Sequence, residues 1–167
     1  MLRPAPLHAL PFLLSLPLLG ACGSQGSYQL HWSITCKTSQ STCPIETPKD
    51  CSDAGLDAIS VQAVRGTDQV HSLFPCFGPL GPTGNGPGLG QGPIDLEVSA
   101  LSPGGEVLVG PVSTTATIPP TGVISVDITL PRPPACNDGV DNDQDGLVDL
   151  ADPECNNDPN GTSEGPP

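Results

Sequence analysis

The sequence predicts an all-β fold, an antiparallel β-sandwich that ends in a disulfide-closed acidic loop. Three observations point there. The chain has 20 Gly and 22 Pro in 167 residues, a density of turn formers that leaves few stretches where a helix could persist. Several segments alternate apolar and polar side chains with a period of two, the pattern of half-buried strands. The formal charge is −13, and half of the 18 acidic residues fall in Cys136–Pro167, where there is no Lys or Arg. A chain of this length has room for one ordinary domain plus appendages. After residue 21 its only aromatics are Tyr28, Trp32, Phe74 and Phe77. A core so thin needs covalent help, and seven cysteines are available to give it.

In chain order, Met1–Ala21 has a positive start with Arg3 and an apolar run from Ala9 to Leu19 that closes in small residues. That is the layout of a secretory signal; the run is too short for a bilayer span and is interrupted by Pro11 and Pro17. Its end, Leu19-Gly20-Ala21-Cys22, resembles a bacterial lipobox. The resemblance implies cleavage before Cys22 and acylation of its thiol and new amino group, with several acyl chains anchoring the protein to a membrane. Residues 22–27 are then a short tether. The alternative is an ordinary signal that leaves Cys22 to pair. With Cys22 spent on lipid, six cysteines remain (Cys36, Cys43, Cys51, Cys76, Cys136 and Cys155), an even set that reads as disulfides in an oxidising compartment. Six allow 15 connectivities; a local Cys136–Cys155 pair leaves three.

The β-sandwich is expected over residues 28–131, immunoglobulin-like or transthyretin-like. Tyr28–Thr35 places Tyr28, Leu30, Trp32 and Ile34 on one face, with His31 on the polar face as an exposed strand residue. Cys36–Asp57 has no sustained periodicity and reads as a loop held by disulfides. Ala58–Val64 is a second strand and Val70–Phe74 a weaker third. Gly78–Pro93, with a glycine or proline at most positions, reads as a mobile loop unable to bury a face; it contains neither a collagen period nor a nucleotide-loop spacing. Ile94–Leu101 alternates again, turns at Ser102–Gly105 and returns as Glu106–Val109. Thr114–Ile118 is a short strand, and Val123–Leu130 closes the domain with Ile124, Val126, Ile128 and Leu130 on its apolar face. About seven short strands separated by turn signals make a sandwich. Pro131-Arg132-Pro133-Pro134 is a stiff spacer expected to hold residues 132–167 away from the sandwich, and the polar stretch after Cys155 is expected to fray.

Between Cys136 and Cys155 the spacing is that of a twelve-residue calcium loop. Asp141 takes position 1, Asp143 position 3, Asp145 position 5, Leu147 position 7 through its carbonyl, Asp149 position 9 and Asp152 position 12, with Gly146 at the sharp turn of position 6. Leu147, Val148 and Leu150 are expected to cluster beneath the ion. Asp152 replaces the usual Glu, a shorter arm. No helix can precede the loop across Arg132–Cys136, so this is not an EF-hand. It resembles the helix-poor calcium repeats of thrombospondin type 3. Affinity typical of extracellular modules, with Kd of order 10⁻⁴–10⁻³ M, is expected. A second register, Asn156, Asp158, Asn160, Gly161 and Glu164, matches poorly. The bland alternative for the whole segment is an acidic tail that only solvates.

The full stretch, CNDGVDNDQDGLVDLADPEC, is similar to the C-x-D-G-x-D-N-D-x-D-G-x-x-D-x-x-D-P-x-C signature of myxobacterial-type predicted surface lipoproteins. With the lipobox-like end and the domain order, the likeness spans most of the chain. It implies a lipid-anchored protein of the outer membrane or cell surface and implies no activity. The acidic field disfavours nucleic acid and anionic lipid headgroups. His31 and His71 sit in no G-x-S-x-G or H-E-x-x-H context, which points away from an enzyme. A calcium-stabilised binding or adhesion module with a protein or glycan partner is the expectation, and an accessory subunit of an envelope complex the alternative. A hydrolase ranks below both, and so does zinc held by histidines and cysteines.

Overall fold

The structure, a computed structural model, describes residues 26–35, 42–86 and 89–165. Eight strands and one short helix follow in the order β1 (Ser27–Thr35), β2 (Thr42–Cys43), α1 (Pro48–Ser52), β3 (Ala58–Arg65), β4 (Asp68–Pro75), β5 (Thr83–Gly86), β6 (Gly92–Leu101), β7 (Val107–Ile118) and β8 (Val123–Leu130). They form two four-stranded sheets. One runs β4-β3-β6-β7, antiparallel throughout. In the other, β1 carries β5 along Tyr28–His31 and β2 along Ile34–Thr35, and β8 pairs with it from Ser27↔Val123 to Ile34↔Leu130. That last ladder is parallel, a departure from the otherwise antiparallel expectation. A parallel pair needs a long connection between its strands, and here the rest of the sandwich is that connection.

The alternating segments bury the faces their sequence assigns. Tyr28, Leu30, Trp32 and Ile34 of β1, Ile59, Val61 and Ala63 of β3, Ile94, Leu96, Val98 and Ala100 of β6, and Val126, Ile128 and Leu130 of β8 form one core between the sheets. Trp32 donates from Nε1 to the Cys76 carbonyl at 2.7 Å, and its ring meets Phe74 at 6.1 Å between centroids. The Cys51–Cys76 disulfide ties α1 to the end of β4.

Three expectations need correction. The Gly78–Pro93 segment contains β5, and Gly84 and Gly86 within it are buried. A Cβ on Gly86 would stand 1.8 Å from the Tyr28 ring. These residues pair in the sheet because they lack side chains: the aromatic rings of Tyr28 and Phe74 occupy that space. Cys36–Asp57 is not loop throughout, since the described part holds β2 and α1. The Asp50 carboxylate accepts the Thr47 backbone N–H (2.7 Å) and hydroxyl (2.9 Å), which pull its pKa down, and the Glu46 N–H (2.9 Å), fixing the first turn of α1. Finally, Val107–Val109 and Thr114–Ile118 belong to one strand, β7, which runs through Gly110-Pro111 with a register shift opposite Val98–Leu101, and Glu106 precedes it. Proline removes a ladder donor, and β7 tolerates it as an edge strand.

The spacer does not hold the acidic segment clear of the sandwich. Gly55 (φ +67°) sits so close to it that a Cβ there would stand 1.9 Å from the Asp138 carbonyl oxygen. Arg132 donates to the Asp53 carbonyl at 2.6 Å. A groove of about 580 Å³ runs along this junction, past Ile34, Lys49, Arg132 and Asp141. No helix among the described residues is long and apolar enough to cross a membrane. Residues 1–21, with the lipobox-like Cys22 and with Cys36, lie outside the described residues.

Candidate metal centre

The acidic loop is closed by a disulfide between Cys136 and Cys155, with 5.7 Å between Cα atoms and both residues buried. Closing a loop of this size is worth about 3 kcal/mol in the chain-entropy account. Cys43 is also disulfide-bonded.

Inside the ring the chain is shaped by aspartates that accept backbone N–H groups a few residues on. Asp141 accepts from Gln144 (2.6 Å) and Gly146 (3.0 Å), Asp143 from Asp145 (3.2 Å), and Asp145 from Leu147 (2.8 Å). Gly146 has φ +95°, the sharp turn expected at position 6. This winding gathers Asp141, Asp143 and Asp145 so that one carboxylate oxygen from each lies within 4.8 Å of the others. Ca–O distances of about 2.3–2.6 Å put oxygens on opposite sides of one ion about 5 Å apart, so the spacing suits a hard cation.

Asp152 falls in a second group, with Asp145 and Glu154 at the same spacing. It is only 2 % exposed. Its Oδ1 accepts the Glu154 N–H at 2.8 Å, and its Oδ2 has no hydrogen-bond partner. An unsatisfied buried acceptor costs about 1–3 kcal/mol, more when charged, and buried charges are normally paired or on a metal. The residues therefore fit a hard cation, which would supply charge neutralisation and a fixed coordination shell.

One expected ligand and the expected apolar cluster are placed otherwise. Asp149 stands outside both groups: its Oδ1 accepts the N–H groups of Asp138 and Gly139, each at 3.0 Å. Leu147, Val148 and Leu150 do not form a cluster under the loop but are exposed, at 38 %, 38 % and 46 %.

The stretch after Cys155 folds back instead of fraying. The Cys136 N–H donates to the Gly161 carbonyl at 3.1 Å. Glu164, 1 % exposed, accepts the Asn142 N–H at 2.8 Å and its Nδ2 at 3.3 Å through one oxygen, and the Asp149 N–H through the other. Asn142 Nδ2 also reaches Asp138, which is buried and whose carboxyl is pushed up by that burial. Glu164 was legible only as the end of a poor second register; its actual role is to brace the first loop. Its one sequence signal is an acidic residue isolated among small polar ones.

No protein-family model matches the chain, and no curated protein is similar enough to count as a relative. Among solved structures it is similar to GBS52, the minor pilin of the Gram-positive pathogen Streptococcus agalactiae. The identity is 14 % and the TM-score 0.37, over 67 % of this chain and 46 % of that one.

Proposed function

We propose that this protein is a non-enzymatic lipoprotein of the cell envelope. In this reading Cys22 carries the acyl chains, the β-sandwich is the binding or adhesion module for a protein or glycan, and residues 132–167 hold calcium as a structural ion. The observation that carries the calcium assignment is the buried, half-unpartnered carboxylate of Asp152 beside Asp145 and Glu154. All-oxygen ligands on a water-accessible loop favour calcium over softer metals. Exposed sheet edges and the turn at Gly78–Gly81 offer the contact surface. The lipobox-like end and its order before a small β-domain and the cysteine-framed aspartates support the envelope location and the outer membrane or cell surface.

Crosslinking on intact cells followed by a tagged pull-down tests the function. Capture of an external protein or glycan supports the binding module; a fixed stoichiometric envelope partner supports an accessory subunit instead. Loss of palmitate labelling in Cys22→Ser tests the anchor, and retention of label overturns it. A hydrolase reading would rest on Ser60 Oγ and His71 Nε2, 2.8 Å apart on an exposed strand face. Turnover of ester or peptide substrates that disappears in Ser60→Ala would establish it.

A further inference from the structure

We propose that the groove between the sandwich and the acidic module binds a glycan through an isolated carboxylate, an acidic sugar of the uronic type, with Arg132 and Lys49 as its anchors. It rests on the binding-module reading above for the existence of a ligand, and gives that ligand a place and a chemistry.

The groove holds about 580 Å³, within the range of clefts that take small ligands. Its charge sets it apart. The chain has 5 Lys and Arg against 18 acidic residues, and three of those five, Lys49, Arg65 and Arg132, are among the described residues. Lys49 and Arg132 both line this groove. Arg65 lies elsewhere and donates to the Leu89 carbonyl.

Arg132 is the stronger anchor. It stands between Pro131 and Pro133, which keeps its backbone extended and stiff. The side chain is half-buried, and that burial pulls its pKa down while Asp138 and Asp53 push it back up. A guanidinium carries five N–H donors in a planar fork. Here Nη2 donates to the Asp53 carbonyl at 2.6 Å, and among the described residues the sole ion pair is Lys49–Asp53. A desolvated guanidinium with open donors suits a planar carboxylate, which it can hold by two parallel bonds. The Lys49 side chain is 76 % exposed. An exposed pair of this kind contributes little, so the ammonium can turn to a ligand at small cost.

The acidic wall selects among anions. Glu46, Asp50, Asp53 and Asp141 also line the groove, four carboxylates against two cations. A polyanion meets net repulsion there. One carboxylate set among hydroxyls instead finds cations for its charge and carboxylate acceptors for its O–H groups. A peptide brings fewer O–H donors and more apolar side chains, and Ile34 on the lining is already buried at 3 % exposure.

The test is binding of methyl β-glucuronide to the full, disulfide-intact chain, followed through amide chemical shifts. Methyl β-glucoside serves as the neutral counterpart and a capped glutamyl tripeptide as the carboxylate in peptide form. The expected result is saturable shifts across residues 46–53 and 140–144 with the glucuronide, and binding of the other two weaker by about tenfold. Lys49→Ala, which removes a surface side chain only, should weaken the glucuronide by about two- to fivefold and leave the glucoside unchanged. Arg132→Lys keeps the charge, loses the fork and should weaken it by about tenfold, with the exchange of the Gly55 amide reporting that the junction stays packed. Equal binding of glucuronide and glucoside, or full affinity in Lys49→Ala, overturns the proposal. Tighter binding of the tripeptide places a protein segment in the groove and also overturns it. No binding up to about 10 mM, the weak end of millimolar affinity, while the cell-surface pull-down still captures a partner, overturns this site and leaves the binding module standing. Failure of both experiments overturns both.

Discussion

The sandwich and the acidic module are held together by different physics. In the sandwich, four strands turn alternate apolar side chains into one core, with Leu30, Ile59, Val61, Leu96 and Val98 fully shielded. In the module the buried side chains are chiefly two cysteines and three carboxylates, Asp138, Asp152 and Glu164. The first is stabilised by removing apolar area from water, a term indifferent to divalent ions. The second is a ring of carboxylate–amide bonds around charges that repel. The contrast teaches that one chain can contain a part that folds by exclusion of water and a part ordered by a disulfide staple and carboxylate–amide bonds, with acidic groups spaced so that they could hold a metal ion.

Experiments can break or sharpen that contrast. The largest effect is expected from Leu96→Ala in the sandwich core, which should destabilise by about 2–5 kcal/mol. Its denaturation midpoint should fall equally with calcium and with chelator; a calcium-dependent loss would erase the distinction. Replacing Cys136 and Cys155 together by Ser should cost the module about 3 kcal/mol. Hydrogen exchange should then rise across residues 136–164 while the amides of β3 and β6 keep their protection. Glu164→Ala strands the amides of Asn142 and Asp149 and should cost about 1–3 kcal/mol, seen as faster exchange at those two sites and weaker calcium binding. The smallest effect is expected at Tyr28, whose hydroxyl is buried without a partner and whose pKa burial raises. A raised folded-state pKa contributes stability that is complete below the unfolded value of about 10 and lost as pH climbs through the folded one. Alkaline unfolding above that value should therefore be shallower in Tyr28→Phe. The variant should match or exceed the original at neutral pH by about 1 kcal/mol; an equally steep alkaline limb would show that another group titrates there.

The sandwich was legible because its strands carry their address in side chains. Tyr28–Thr35, Ile94–Leu101 and Val123–Leu130 alternate cleanly, and each buries the face so assigned. β5 was illegible for the converse reason: Gly84 and Gly86 have no side chains to alternate, and only the positions of Phe74 and Tyr28 reveal their purpose. The parallel β1–β8 ladder left no mark either, since alternation reports which face is buried and not which neighbour runs alongside. In the acidic loop the spacing foretold the gathering of Asp141, Asp143 and Asp145 and the turn at Gly146. It could not foretell that Asp149 would bind amides or that Glu164, fifteen residues further on, would reach back to it. Those are tertiary contacts, made by a chain that doubles over its own disulfide.

The parallel ladder also decides how the molecule meets force. β1 enters at Ser27 beside Val123, and β8 leaves at Leu130 beside Ile34, so the preceding chain and the acidic module depart from opposite ends of the same pair. A pull between them loads all of these backbone pairings at once, in shear. They cannot be peeled one by one like the strands of a hairpin opened from its free ends. The sandwich is strung along its own line of tension.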